Sequence, residues 1–247
     1  LSSPLIQAIE QHLQRSRRCD TQAALDMALS ARRQALRAWQ AQRLSTTYAD
    51  LRQDPRYRPA IEFFLSELYG PQDFSPRERA FERAWRVLRR TLPPMLLEAL
   101  AAVTELQALT AELDLAVAAR LPSKEITPEL YVTAYRAAAS AAQRERQIDL
   151  ILEIGTHLAA AVALPWVDWA LKTAHVPAHA LGFARLQDFL EHGFAAFRAL
   201  GDATIFLSTI GERERRLMHA LLHEPAAAAL PLLGSARTTP LSSGLKS

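Results

Sequence analysis

Apolar residues in this chain recur every three or four positions in one segment after another, and nowhere do they alternate convincingly with period two. Neighbours on a helix face are three and four apart and neighbours on a strand face two apart, so the pattern restricts the fold to packed helices. The cleanest stripe is Leu96, Leu100, Val103, Leu106, Thr110, Leu113 and Val117, closed by Leu121-Pro122. The strongest is Leu186, Phe189, Leu190, Gly193, Phe194 and Phe197, which demands cover along one whole side. With 247 residues, 49% of them hydrophobic, the chain can bury a full core. The expectation is an all-α, single-domain multi-helix bundle over 1–224. The Ala-, Leu-, Pro- and Ser-rich stretch 225–247, which has no periodicity, is expected to be a flexible tail.

Proline, glycine and capping residues mark the helix limits. Ser3-Pro4 opens a first helix to about Arg17, and Asp20 or Thr21 is expected to cap a longer one reaching Gln53. Pro59 to Tyr69 is a short helix dense in aromatic side chains, stopped by Gly70-Pro71. Ser75-Pro76-Arg77-Glu78 starts a further helix to about Arg90, and Leu92-Pro93-Pro94 breaks it. Thr127-Pro128-Glu129 starts a helix read as continuous to Leu158. Its inner face, including Ala134, Ala137, Ala141 and Gly155, is small enough for a central element of the bundle.

Composition excludes several classes of function. A net charge of +3, with short clusters such as Arg15-Ser16-Arg17-Arg18 at helix ends, does not make a nucleic-acid surface. The one cysteine, Cys19, rules out an internal disulfide and a cysteine zinc cluster, and suits a reducing, cytoplasmic location. Its Arg17-Arg18-Cys19-Asp20 setting could lower the thiol pKa, but no histidine partner is defined, and a structural thiol is expected. No membrane span is expected, since the apolar run Leu158–Leu164 ends at Pro165, far short of about 20 residues. Phosphate-cradling loops and nucleophile-elbow motifs are absent.

Three pairs stand one turn apart in a geometry that suits a shared metal or proton: Glu153/His157, Asp188/His192 and His219/His223. The last two fall off the apolar stripes and are expected to be solvated. Glu153 and His157 flank an inner face, and with Glu62 they form the one alternative for iron or manganese, although paired Glu-x-x-His motifs on two helices are missing. No cofactor is otherwise expected. The polar set that needs a partner is different: Arg43 shares the inner face of its helix with Trp39, while Glu62 and Glu67 lie on the aromatic helix. A desolvated guanidinium requires acceptors, so Arg43 is expected to pair with Glu62 or Glu67. The same residues could instead line an interhelical pocket of Trp39, Arg43, Glu62, Phe63, Glu67 and Tyr69.

The run Glu62-Phe63-Phe64-Leu65 through Leu68-Tyr69-Gly70, with Trp39-Gln40 and Arg43 upstream and Leu186–Glu191 and Gly193–Arg198 downstream, resembles an uncharacterised family of all-helical proteobacterial proteins. The likeness covers roughly 25–220 and implies no activity, cofactor or catalytic residue. Helix number and length also suit a haem-oxygenase-like arrangement, by analogy of fold alone. The expected role is binding or regulation through a protein partner or homo-oligomer, with Trp166 and Trp169 as a possible contact if they do not pack in the core. The alternative is a haem-oxygenase-like enzyme, metal-dependent or cofactor-free, with a small pocket.

Overall fold

The computed structural model describes residues 4–68, 81, 84, 85, 89, 94–138 and 140–233, without the side chains of Glu67 and Leu68. Among these residues there are eleven α-helices and no strand. The first is α1 (Pro4–Ala24), which runs on past Arg17 because Ile9, Leu13, Ser16, Cys19 and Ala23 form one buried stripe. Ser16 and Cys19 are small enough to continue an apolar face that their polarity disguises. The cap of α2 (Met27–Thr47) is accordingly Asp26 rather than Asp20, its carboxylate accepting from the amides of Ala28 and Leu29 at 2.9 and 3.0 Å. A short α3 (Ala49–Gln53) and α4 (Arg58–Phe63) follow, and α4 widens into a π-helical turn over Phe64–Leu68. Most of the helix expected from Ser75 to Arg90 lies outside the described residues, as does its break at Leu92-Pro93.

The centre of the bundle is α5 (Pro94–Arg120), which packs against α1, α2, α6 (Pro128–Ala138) and α7 (Ala141–Val162). Covered on several sides, it buries Ala102, Ala108, Ala111 and Ala118 as well as Leu109, Leu113 and Val117, while Val103 of the expected stripe is 40% exposed. The helix expected to run from Thr127 to Leu158 is two. Ser140 is extended, and its hydroxyl accepts from the Gln143 amide while the Gln143 side chain accepts from the Ser140 amide, a reciprocal cap that starts α7.

Beyond α7 the chain turns by 88° at Leu164-Pro165 into α8 (Pro165–Ala180). A tight link through Gly182, at φ 77°, reverses it into α9 (Ala184–Leu200), making a helical hairpin. Gly193 of α9 lies so close to α4 that a Cβ there would stand 2.8 Å from Cζ of Phe63. The last long helix is α10 (Thr204–His223). Residues 226–233 are packed rather than tail-like: α11 (Ala226–Ala229) and a 3-10 turn bury Ala229 and Leu233 in the main core, beside α2, α6 and α10. The bundle therefore extends nine residues past the expected boundary at 224, because Ala226, Leu230 and Leu232 pack against the same core in which Ala229 and Leu233 are buried. No single helix among the described residues is long and apolar enough to cross a membrane.

Candidate functional site

Arg43 is buried as expected from its place one turn after Trp39, but its partner is Glu214 of α10. Nη1 of Arg43 and the hydroxyl of Tyr48 both donate to Oε1 of Glu214, each at 2.7 Å. Burial disfavours the Arg43 cation, and the Glu214 carboxylate, aided by its hydrogen bond, more than offsets this and raises the guanidinium pKa. Burial and then the same carboxylate push the Tyr48 phenol far above its ordinary range, so Tyr48 remains a donor. Next to it, Arg213 makes a two-pronged bond to Asp50 at 2.8 and 2.6 Å and also donates to the carbonyl of Thr47. The C-terminal end of α2, and α3 through Asp50, are thereby tied to α10.

The expected Arg43 pairing with Glu62 is not formed. Glu62 is about half exposed, 3.6 Å from Arg52, because the aromatic helix turns Ile61 and Phe63 inward and leaves the position between them facing solvent. Phe63 packs on Gly193 and on Phe189, whose ring centroid is 5.3 Å away. Trp39 lies over Tyr131 of α6 with centroids 4.3 Å apart. Trp39 and Phe63 are thus parts of separate packing groups. The Glu67 side chain and Tyr69 lie outside the described residues, so the pocket they were expected to complete is not on view.

A second buried guanidinium, Arg144 of α7, lies across the ring of Tyr135 at 4.1 Å and donates through Nη1 to Gln147 at 3.1 Å. Its Nε and Nη2 are buried with no hydrogen-bond partner among the described residues. Tyr131 and Tyr135 beside it have phenol pKa values raised by burial, which the positive charges of Arg144 and Arg43 partly oppose. Cys19 is buried as well, and burial followed by the Glu112 carboxylate pushes its thiol up, the opposite of what its arginine neighbours in sequence suggest.

The α8–α9 hairpin differs from the rest of the molecule. No residue of α8 is fully buried, and Trp166, Trp169, Val176 and the following Leu181 are 45, 68, 73 and 70% exposed. Trp166 and Trp169 therefore do not pack in the core. The seam with α9 is instead a row of polar pairs: Asp168 with Arg198, His175 with Glu191 and His179 with Asp188.

Of the histidine pairs singled out in the sequence, Glu153 and His157 are 3.9 Å apart, with Glu153 also beside Arg146. Glu62 has Arg52 as its ion-pair partner, and among the described residues Glu62, Glu153 and His157 do not converge as a set of metal ligands. The rings of His219 and His223 lie 5.1 Å apart, tilted by 54° to each other, and His219 also meets Glu224. Among the described residues, the group that does converge is one the sequence reading missed: His175, His179 and Asp188 each bring one ligand atom within 4.8 Å of the others. The signal was present, since His175 and His179 stand one turn apart, but Pro177 between them hides the helix on which the spacing acquires meaning.

Together these features define an all-helical domain with a charge-tied interior and a helical hairpin whose outer face is apolar. The chain belongs to the family described as a domain of unknown function (DUF8198), whose model matches residues 20–228 and so takes in both regions. No curated protein and no solved structure matches it.

Proposed function

We propose that the protein is a binding or regulatory module that acts through protein–protein contact, with the outer face of α8 as its contact element. One observation carries this reading. Among the described residues, four of the nine large hydrophobic side chains that stand exposed fall within 166–181, three of them on a helix that buries none of its own residues and the fourth, Leu181, just after it. Their concentration makes a patch rather than the scattered exposure usual on a protein surface. Trp166, Trp169, Thr173, Val176 and Ala180 are all exposed and follow one another at spacings of three and four, the seam a second helix would meet. A second copy of the chain is the first partner to test, since two such seams related by a twofold axis cover each other.

Sedimentation equilibrium on the intact chain and on a Trp169→Asp/Val176→Asp variant tests the proposal, together with a photo-crosslinking residue at 169 used in native cells. Association or a crosslinked protein, lost in the variant with helicity retained, supports it. A monomer at every concentration that crosslinks to no protein overturns it. Within this reading the setting is the bacterial cytoplasm, where a lone cysteine stays reduced, and neither nucleic acid nor a bilayer is the partner.

The second reading, a haem-oxygenase-like enzyme with a small interhelical pocket, is favoured by the buried Arg144 donors beside Tyr135. An anionic ligand that protects the fold against heat in the parent, and not in Arg144→Met, would move the preference to it.

A further inference from the structure

The polar pairs between α8 and α9 follow one antiparallel register, in which Asp168 meets Arg198, His175 meets Glu191 and His179 meets Asp188 at 3.2, 2.9 and 3.0 Å. Toward the closed end of the hairpin this row changes from ordinary ion pairs to histidines facing carboxylates. We propose that His175, His179 and Asp188 form a zinc site that clips α8 onto α9, with Glu191 as the carboxylate that orients His175.

The donor set suits that ion. Two imidazoles one turn apart on a helix and a carboxylate from the facing helix form a three-ligand site of a kind Zn²⁺ occupies, with a fourth position left for water. The three side chains are 39 to 45% exposed, so both the ion and that water can reach them. Around tetrahedral zinc with bonds of about 2.0–2.2 Å, donor atoms stand about 3.3 Å apart. The 3.0 Å between Nε2 of His179 and Oδ1 of Asp188 is close to that spacing, and the two need separate only slightly to admit the ion. The proton they share then passes to solvent, as metal binding to a hydrogen-bonded pair requires.

A second observation concerns the surroundings of these residues. Nδ1 of His175 lies 2.9 Å from Oε1 of Glu191. A neutral imidazole that donates from Nδ1 keeps its lone pair on Nε2, the atom that can ligate. Glu191 is itself held by Gln187, whose Nε2 donates to Glu191 at 2.8 Å and to the carbonyl of Leu171 at 2.7 Å. Gln187 is only 5% exposed, so the chain of Gln187, Glu191 and His175 is anchored in packed structure. Metal-binding histidines characteristically have such a carboxylate behind them, itself hydrogen-bonded.

The ion has a structural purpose here. Burial does not fix α8, and Pro177, which lies between the two histidines, removes a helical hydrogen bond from its last turn. A zinc clip supplies the rigidity that packing does not, whether or not the outer face of α8 meets a partner.

Calorimetric titration of the chelator-treated full chain with Zn²⁺, alongside the cobalt absorption spectrum, tests the site. One equivalent is expected to bind, with tetrahedral Co²⁺ bands. A His175→Ala/His179→Ala variant should lose at least about 100-fold in affinity, and Glu191→Gln about 10- to 100-fold. Both His219→Ala/His223→Ala and Trp169→Asp/Val176→Asp should bind as the parent does, which separates this site from the other histidine pair and from the docking face. Asp188→Asn, which preserves a hydrogen bond to His179, gives the same test if the double-histidine variant does not fold. Absence of stoichiometric Zn²⁺ binding in the parent, or equal affinity in the His175/His179 or Asp188 variants, overturns the proposal.

Discussion

The Arg43–Glu214 pair and the His175–Glu191 pair are almost equal in length, 2.7 and 2.9 Å, and lie in opposite surroundings. The first joins side chains that are 10 and 16% exposed in the interior, where each partner has given up its water and depends on the other. The second joins side chains 44 and 30% exposed at the hairpin seam, where water can replace either partner. Distance alone therefore says little about what a pair contributes. Burial makes the interior pair a condition for the fold, and exposure leaves the hairpin row open to metal, partner or solvent.

The interior pair gives the largest expected effect. Glu214→Ala leaves a buried cation and the Tyr48 hydroxyl without their shared acceptor, and should cost about 3–5 kcal/mol in urea unfolding. Replacing the pair together, as Arg43→Met/Glu214→Leu, should restore most of that loss. If the single variant costs less than about 1 kcal/mol, the interior behaves like the seam and the distinction fails.

Gly193→Ala tests the tight side of the same hairpin, where α9 meets α4. Its methyl group would lie 2.8 Å from the buried Phe63 ring, so a loss of about 1–3 kcal/mol is expected from the same unfolding measurement. A smaller effect is expected from acid at the rim of the interior network. Hydrogen bonds from Arg213 hold the Asp50 carboxyl down to about 2, below the ordinary value of about 3.9. Such a group stabilises the fold fully above its unfolded pKa, and that contribution disappears as the pH falls through the folded one. Asp50 is largely exposed, so the amount is well under about 1 kcal/mol after screening. Comparing parent and Asp50→Asn between pH 5 and pH 2 should show a slightly shallower acid slope in the variant.

The smallest effect belongs to the seam. Asp168→Asn removes contacts to both Lys172 and Arg198, and the thermal midpoint should not move measurably. A clear drop would show that the row of pairs holds α8 in place without help.

Much of the fold was legible because it is local. Pro128, Pro165 and the Gly201-Asp202 break act through backbone geometry within a few residues of themselves, whereas the Ser140 cap inside the stretch read as one helix was not recognised. Errors arose where a local signal had more than one physical outcome. Asp20, Thr21 and Asp26 are all capping residues, and only the buried Ser16/Cys19 stripe selects Asp26. The candidate site was less legible. Arg43 could be identified because a charged group on an apolar face needs an acceptor, yet that acceptor lies 171 residues away. Trp166 and Trp169 have the same composition whether buried or exposed, and only the 88° turn after α7 carries them outward.

By itself, then, the sequence determined the helical class, the positions of most breaks and the inner-face placement of Arg43, because each follows from periodicity or from one residue's backbone chemistry. Only the tertiary structure decided that Glu214 satisfies Arg43, that Glu62 faces solvent, and that His175 and His179 meet Asp188 across a hairpin. Those pairings depend on the rotation and register of one helix against another, which the combined packing of the bundle sets and no single segment encodes.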